Sequence, residues 1–360
     1  MTSNINLKTD RLFCVDLLKA MSITAVVSFH STFIPESTYL SVSYLMDVLF
    51  APLRFCVPVF LTISFLLLKR SLDNYSTASV YSLLKKRFIR LLIPTLFWCT
   101  LAAGLRFLGK ANSTEPLFVP LLQGRIFPGA YYLLIMLQFL PVFIGLQSRF
   151  IEIKNVLITV LLQVLVFMLV YLAIQGEFDL KISMILREIA RPFFIYWFAY
   201  MALGAYFYNN WFKVIELSQR IPLISKILLL TLTSLIMIAE YSNLRWVAGG
   251  QASPFEYAMF SCLLSVLVIF LCFASLKENQ IPVPLRKVIQ LLSRYSLGIF
   301  CINGILSLIF FQLSSRLFIG DNFNLPEVLA IKFFGWSLLL TVSLALSILL
   351  DRIGLGPCVR

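Results

Sequence analysis

The sequence predicts an all-α, polytopic membrane protein that is a bundle of about ten transmembrane helices. Hydrophobic residues make up 60% of the 360 residues, which is more apolar surface than the outside of a water-soluble domain can hide. Apolar runs close to the length that a helix needs to cross a bilayer recur along the chain. Because the connections between these runs are short, we expect a single transmembrane domain over residues 1–360, with no appended soluble domain.

Ten segments meet the length criterion, and each is expected to contain one transmembrane helix. In chain order they are 12–34, 46–68, 91–108, 129–147, 155–174, 193–211, 223–240, 255–275, 293–313 and 328–350. No small-residue cleavage site follows the first apolar run, which favours a retained helix over a removed signal peptide. The seven cysteines lack the spacing of metal ligands, so no metal site is predicted.

The basic residues are divided unequally between the two predicted sides of the membrane. The net charge of +13 is compatible with nucleic-acid binding, but the bases lie in the connections between apolar runs. We therefore predict no nucleic-acid partner. Nineteen lysines and arginines fall on one side and seven on the other. The positive-inside rule then places both termini in the cytoplasm, which requires an even number of spans.

The first predicted helix contains "DLLKAMSITAVVSFHS" (16–31), in which an acid, a base and the only histidine of the chain interrupt an apolar run. Eleven residues separate Lys19 from His30, so the two share one helical face and lie about 16 Å apart along the axis. Asp16 is placed to pair with Lys19. An imidazole has an ordinary pKa of about 6.5, so a neutral His30 can accept the proton of an attacking hydroxyl. The alternative is a structural histidine that only hydrogen-bonds to a neighbouring helix.

Three further cations fall within predicted spans, where ionisable groups usually line a cavity or a path. Arg106 lies at a span end, and we expect it to reach the interface. Arg54 and Lys332 lie at depths similar to that of His30. One hypothesis places them at an outer cavity on the acceptor side, where Arg54 would stabilise an oxyanion. The alternative is that they pair with carboxylates and hold helices together. The candidate carboxylates are Asp47, Glu36 and Glu327.

With these features, the chain resembles the membrane-bound acyltransferase-3 family, whose members O-acylate envelope sugars and related acceptors. The first helix has the spacing of that family, an acid, a base three residues on and a histidine eleven residues after the base, with Lys19 where arginine is usual. Five further segments resemble the family in order. They are "RFCVPVFLTISFLLL" (54–68), "KKRFIRLLIPTLFW" (85–98), "GAYYLLIMLQFLPV" (129–142), "FFIYWFAYMALGAYFYNN" (193–210) and "LLSRYSLGIFCINGIL" (291–306). The chain departs from the family at Phe65, at Tyr131 or Tyr132, and at Asn303, where glycine, histidine and histidine are usual.

The resemblance implies an acyl-CoA co-substrate, with acetyl-CoA expected, that enters from the cytoplasm, and no permanently bound cofactor. It implies a hydroxyl of an envelope glycan or lipid-linked sugar as acceptor, and a bacterial plasma (inner) membrane as location. The catalytic residues would be His30, as the general base, with Lys19 and Asp16; Lys19 would meet the arm of the donor or pair with Asp16. Acyl-CoA phosphates would meet Lys86, Arg87 and Arg90, although such clusters also arise from topology alone. Polar lining residues would be Ser64, Tyr295, Ser296 and Asn303, which can equally bridge helices.

Other interpretations stay open from the sequence alone. A flippase or transporter of lipid-linked sugars would also have many spans and buried charges, although no internal repeat of the kind such proteins often show is found. A catalytically inactive relative would explain the replaced arginine and histidines. Besides lipids, further partners could be a second copy of the chain or a separate soluble protein that receives the acyl group. The residues that select the acceptor are expected in the outer loops 109–128, 175–192 and 241–254.

Overall fold

The computed structural model describes residues 12–74, 80–108, 116–176, 193–248, 257–318 and 320–360, and within them the chain forms helices and no strand. The helices that frame the bundle are α1 (Phe13–Phe29), α2 (Leu40–Leu49), α3 (Cys56–Asp73), α4 (Val80–Leu108), α5 (Phe118–Leu122), α6 (Tyr131–Leu146), α7 (Ile153–Gln175), α8 (Phe198–Asn209), α9 (Trp211–Arg220), α10 (Leu223–Val247), α11 (Phe260–Phe273), α12 (Val283–Arg294), α13 (Ser296–Leu317), α14 (Leu325–Leu350) and α15 (Gly356–Val359). Short 3₁₀ segments precede α3 and α8, at Ala51–Phe55 and Phe194–Trp197.

Every predicted span coincides with a helix, and the all-α membrane class is confirmed. Within the described residues, six helical stretches are long and apolar enough to cross a membrane. They are Ala51–Asp73, Leu84–Leu108, Ile153–Gln175, Leu223–Val247, Ser296–Leu317 and Leu325–Val359. The other four predicted spans contain shorter helices. These are α1 with 17 residues, α6 with 16, α8 with 12 and α11 with 14.

Burial explains why some helices are short. Nearly all of α8 is buried, whereas α10 exposes a row of large apolar side chains along its whole length. A helix that faces lipid must satisfy its backbone across the full hydrocarbon layer, but one that is covered by protein can begin or end within that layer. The exposed leucines and isoleucines of α10 and α7 therefore mark the lipid-facing side, and α8 lies inside.

Small residues let the interior helices approach closely. Gly204 of α8 packs on α3, where an added Cβ would meet the carbonyl of Thr62 and come within 2.8 Å of the Cβ of Phe65. Gly335 of α14 packs on the segment after α1, where an added Cβ would come within 2.7 Å of Cε1 of Phe33. The bulky residue at position 65 is thus accommodated by a glycine on the partner helix, and α14 is held against the end of α1.

Helix α1 lies at the centre of the bundle, in contact with α3, α12, α13 and α14. Along α14, Trp336 Nε1 donates to the carbonyl of Thr24 at 3.1 Å, and Lys332 Nζ donates to that of Ser28 at 2.6 Å. At the other end of α1, Ser293 Oγ donates to Asp16 Oδ1 at 2.5 Å. Both ends of the helix that carries the predicted catalytic residues are therefore fixed by neighbouring helices.

Candidate functional site

Among the cavities that the described residues line, two lie around the two ends of α1. The Lys19 cavity has a volume of about 500 Å³, and the His30 cavity has a volume of about 320 Å³. The lining of the Lys19 cavity includes Asp16, Lys19, Phe60, Ser64, Arg87, Arg90, Tyr132, Met136, Leu140, Ser293, Arg294, Ser296, Leu297 and Arg360. The lining of the His30 cavity includes Val26, Phe29, His30, Val57, Arg106, Arg125, Gly129, Tyr131, Tyr257, Phe300 and Leu308.

The lining of the Lys19 cavity is rich in positive charge. Four arginines and Lys19 line it, and among its described lining residues Asp16 is the single acidic side chain. Asp351 lies beside two of these arginines: it accepts from the guanidinium of Arg360 and lies 3.8 Å from that of Arg294. The Arg87 guanidinium donates to Ser71 Oγ. The surplus of cations makes this cavity suitable for a ligand that carries several negative charges.

Apolar side chains of α6 line the same cavity beside two hydroxyls. Leu140, Met136 and Tyr132 follow one another along α6, and the eight residues from Leu140 to Tyr132 cover about 12 Å of helix axis. The hydroxyls of Tyr132 and Ser64, which also line the cavity, lie 2.9 Å apart. This lining offers cations, an apolar row and a hydroxyl pair to one ligand.

The His30 cavity is built around the end of α1 and a tightly folded loop. His30 caps α1, where its backbone N–H bonds to the carbonyl of Val27 at 3.1 Å. Opposite it, Arg106 of α4 holds the loop that leads into α6. Its Nε donates to the carbonyl of Ile126 at 3.0 Å, and its Nη2 donates to that of Arg125 at 2.6 Å. The arginine expected to reach the interface is thus a structural part of this cavity.

Side chains of four helices form the wall between the two cavities. Each of these helices passes from one lining to the other, over one to seven residues. The crossings are Lys19 to Val26 on α1, Val57 to Phe60 on α3, Tyr131 to Tyr132 on α6 and Leu297 to Phe300 on α13. The rings of Tyr132 and Phe300 touch across this wall, with centroids 5.2 Å apart, and Phe60 packs on Tyr132 at 5.5 Å. These rings separate the His30 cavity from the Lys19 cavity in this structure.

Gly129 lets the wall close. Its φ is +93°, in the left-handed region that favours glycine, and an added Cβ would lie 2.7 Å from Cζ of Phe300. The backbone of the loop before α6 consequently lies directly against the Phe300 ring.

The structure places most, but not all, of the predicted site residues at these cavities. Asp16, Lys19, Ser64, Arg87, Arg90 and Ser296 line the Lys19 cavity, and His30 lines the other. Lys86 does not line the Lys19 cavity: it is exposed, because it is rotated about 100° from Arg87 around α4. Tyr295 lines neither cavity; its hydroxyl donates to Asp351 Oδ2 at 2.7 Å. Asn303 is fully buried, and neither atom of its amide has a hydrogen-bond partner among the described residues.

The carboxylates that the alternative hypothesis paired with Arg54 and Lys332 have hydrogen bonds or ion pairs with other residues. The Arg245 guanidinium bonds to Asp47 and lies 4.0 Å from Glu36, while Glu327 caps α14 at Asn324. The reason is that Arg245, on α10, is brought beside α2 by packing that the sequence does not reveal.

The two buried cations have other contacts instead. Arg54 is 4% exposed, and its guanidinium lies between the rings of Tyr241 and Phe29, at 3.8 and 5.3 Å. Lys332 Nζ bonds to the carbonyl of Ser28 and lies 4.2 Å from the ring centroid of Phe50. Both therefore lie next to the His30 cavity without lining it.

Sequence reasoning missed four arginines that line the cavities, Arg106, Arg125, Arg294 and Arg360. The last three were counted only as topology charge, although Arg294 lies within the last of the segments that resemble the family, 291–306. Residues 109–115, 177–192 and 249–256 of the loops expected to select the acceptor lie outside the described residues.

The fold and the paired cavities define a polytopic α-helical membrane protein in which a cation-lined cavity and a histidine-bearing cavity meet within the bundle. A family model described as an acyltransferase domain, acyltransferase 3, matches residues 12–352. The chain therefore belongs to the acyltransferase-3 family, and the family resemblance of the sequence is confirmed over nearly its whole length. Comparison with curated proteins finds no match, and comparison with solved structures finds none either.

Proposed function

We propose that the protein is an O-acyltransferase of the bacterial plasma membrane that transfers an acyl group, with acetyl expected, from a cytoplasmic acyl-CoA to a hydroxyl of an envelope glycan or lipid-linked sugar. The observation that supports this most is the placement of the cation-lined Lys19 cavity directly behind the cavity of the only histidine. A donor with anionic phosphates and a hydroxyl acceptor would then meet from opposite ends of one path.

The donor would occupy the Lys19 cavity. The CoA phosphates would contact Arg87, Arg90, Arg294 and Arg360, whose guanidinium groups suit phosphate oxygens. The pantetheine arm of the acyl-CoA would lie along Leu140 and Met136 of α6, so that the thioester reaches Tyr132. This orientation requires the Lys19 cavity to open to the cytoplasm, which agrees with the side that carries nineteen of the basic residues.

The acceptor would occupy the His30 cavity, whose walls include the rings of Tyr131 and Tyr257. Trp197 stacks on Tyr131 at 5.9 Å and lies 5.6 Å from the Tyr257 ring, which keeps both rings in place. Aromatic faces of this kind suit the apolar face of a sugar ring.

In the reaction, the neutral imidazole of His30 accepts the proton of the acceptor hydroxyl as its oxygen attacks the thioester carbonyl. The new C–O bond gives a tetrahedral intermediate. Its collapse breaks the C–S bond, and the proton held by His30 passes to the departing thiolate, so the products are an ester and free CoA. Because the rings of Phe300 and Tyr132 close the wall, transfer requires Phe300 to move aside.

The test uses the full chain in proteoliposomes that contain labelled acetyl-CoA and lipid-linked glycan. We expect acetyl transfer, detected as a mass increment on the glycan, and its loss by a factor of about 100 or more in His30→Ala, with acetyl-CoA binding unchanged. Full activity in His30→Ala would reject the assignment of the base.

Binding of acetyl-CoA by the purified protein separates the alternatives. A flippase would move the lipid-linked sugar without binding acetyl-CoA. An inactive relative would bind acetyl-CoA without transfer, and exchange of Lys19 for the arginine usual in the family (Lys19→Arg) would then be the first variant to examine for restored activity.

A further inference from the structure

We propose that the Tyr132 hydroxyl donates a hydrogen bond to the thioester carbonyl of the bound donor, and that Ser64 is the positioning residue that directs the Tyr132 proton toward it. The inference rests on the proposed function, since it requires an acyl thioester in the Lys19 cavity. It goes further by assigning the group that would stabilise the oxyanion of the intermediate.

The location of Tyr132 is the first argument. Tyr132 is the last residue of α6 to line the Lys19 cavity before the wall, and the preceding residue, Tyr131, lines the His30 cavity. Its ring touches Phe300 on the far side of the wall. A carbonyl attacked from the His30 cavity must lie at this wall, so Tyr132 is beside the reacting atoms.

The hydrogen-bond arrangement is the second argument. Ser64 Oγ lies 2.9 Å from the carbonyl oxygen of Phe60 and 2.9 Å from Tyr132 Oη. Serine has one hydroxyl proton, so it can serve only one of these two oxygens at a time. When Ser64 donates to Phe60, the Tyr132 proton points to Ser64. When Ser64 rotates and donates to Tyr132, the Tyr132 proton is released toward the cavity.

The cost of this rotation is small. The carbonyl of Phe60 already accepts a backbone bond within α3, so it keeps a partner when the Ser64 hydroxyl turns away. A phenol has an ordinary pKa of about 10, so Tyr132 carries its proton at neutral pH. The pair is therefore able to present a neutral donor when a carbonyl oxygen arrives.

The other buried polar groups nearby are less well placed. Arg54 has buried Nε and Nη1 atoms without hydrogen-bond partners among the described residues, but it does not line either cavity. The amide of Asn303 is likewise buried outside both linings. Tyr132, by contrast, lines the Lys19 cavity, and its ring contacts Phe300, which lines the His30 cavity.

The test combines kinetics with carbon-13 NMR of the full chain bound to acetyl-CoA labelled at the carbonyl carbon. Tyr132→Phe is expected to lower kcat about 100-fold, as loss of one oxyanion donor does, with little change in the KM for acetyl-CoA. Its bound carbonyl resonance should move upfield from the wild-type position, since the hydrogen bond is lost. Ser64→Ala should lower kcat about 5-fold and shift the resonance partway, because it removes only the orienting partner.

Two comparisons make the test specific. In the double variant Tyr132→Phe with Ser64→Ala, kcat should equal that of Tyr132→Phe alone, because Ser64 acts through Tyr132. Thr62→Val is the matched control for Ser64→Ala: its hydroxyl also bonds back to a helix carbonyl, that of Pro58 at 2.9 Å, but it does not line the cavity. We expect that variant to keep the wild-type rate and resonance.

The outcomes separate this proposal from the proposed function. If acetyl-CoA binds and is turned over but its carbonyl resonance is the same in wild type, Tyr132→Phe and Ser64→Ala, the role of Tyr132 is overturned and the acyltransferase function stands. If the wild-type protein does not bind acetyl-CoA, both proposals fail. If Tyr132→Phe does not fold, the resonance of Ser64→Ala decides, and an unshifted signal overturns the proposal.

Discussion

The Lys19 cavity and the His30 cavity both contain arginine, but their guanidinium groups have different partners. Around the Lys19 cavity, Arg87 and Arg360 donate to side-chain oxygens and Arg294 lies 3.8 Å from a carboxylate oxygen, in a region with more cations than carboxylates. In the His30 cavity, Arg106 bonds to two backbone carbonyls of the loop before α6. The first group of arginines can exchange its partners for a ligand, whereas Arg106 cannot leave without releasing the loop.

The arginines that line the cavities therefore have two separate uses in the bundle. Guanidinium groups held by exchangeable side chains suit phosphate binding, because the ligand oxygens replace oxygens that water can solvate. A guanidinium that bonds to two backbone carbonyls of one loop is structural, because its loss removes both bonds that hold the loop. The predictions below separate the two uses.

The largest effect is expected from neutralising the Lys19 cavity. The double variant Arg87→Gln with Arg90→Gln removes two of the charged contacts proposed for the donor phosphates, so the KM for acetyl-CoA should rise about 100-fold. The KM for the glycan acceptor should stay at its wild-type value. Steady-state kinetics in proteoliposomes measures both. Lys86→Gln is the control, because Lys86 is adjacent in sequence but exposed outside the cavity.

The next effect is expected at Arg106. Arg106→Met removes both hydrogen bonds to the loop carbonyls and should lower the free energy of unfolding by about 2 kcal/mol. Thermal unfolding in detergent measures the loss, and acetyl-CoA binding should be unaffected. Arg316→Met, at an exposed arginine of α13, is the control. An equal loss of stability in both variants would contradict a structural role for Arg106.

A smaller effect is expected from crowding the wall between the cavities. Gly129→Ala places a Cβ against Phe300 and strains a backbone with positive φ, which should cost about 1–3 kcal/mol of stability. We expect a lower Tm and slower transfer. Gly145→Ala in α6 is the control, because an added Cβ there meets nothing within 4 Å. A wild-type Tm in Gly129→Ala would show that the loop does not lie against Phe300.

The smallest effect is expected at the C-terminal turn. Trp98 Nε1 donates to the carbonyl of Cys358 at 2.9 Å and so holds α15, which positions Arg360. Trp98→Phe should cost about 1 kcal/mol of stability and raise the KM for acetyl-CoA a few-fold. Trp336→Phe loses a comparable indole bond, to Thr24 on the other side of the bundle, and should leave that KM unchanged. Equal KM values for acetyl-CoA in the two variants would show that α15 does not contribute to donor binding.

Much of the fold was predictable from the sequence, because apolar length and helical periodicity are local properties. All ten predicted spans contain helices. The short helices were not foreseen as short, since their lengths depend on being covered by other helices, as for α8. The helical face of α1 that carries the ionisable residues was also predictable. Asp16 and Lys19 line one cavity and His30 lines the next, as their spacing along one face requires.

What the sequence did not reveal concerns partners rather than elements. One alternative paired Arg54 and Lys332 with Asp47, Glu36 or Glu327, whereas Arg245 bonds to Asp47 and lies 4.0 Å from Glu36. Arg106, which was expected to reach the interface, also holds a loop. Each of these contacts joins residues distant in the chain, for which one sequence carries no distance information.

The sequence by itself determined that the chain is a helical membrane protein, that it belongs with acyltransferases of its family, and which face of the first helix carries ionisable groups. These follow from local hydropathy, charge and spacing. Only the tertiary structure decided that the ionisable face is divided between two cavities and that Tyr132 and Phe300 form the wall. The physical reason is that a cavity is bounded by side chains from several helices, whose relative rotation and depth are fixed by packing between them.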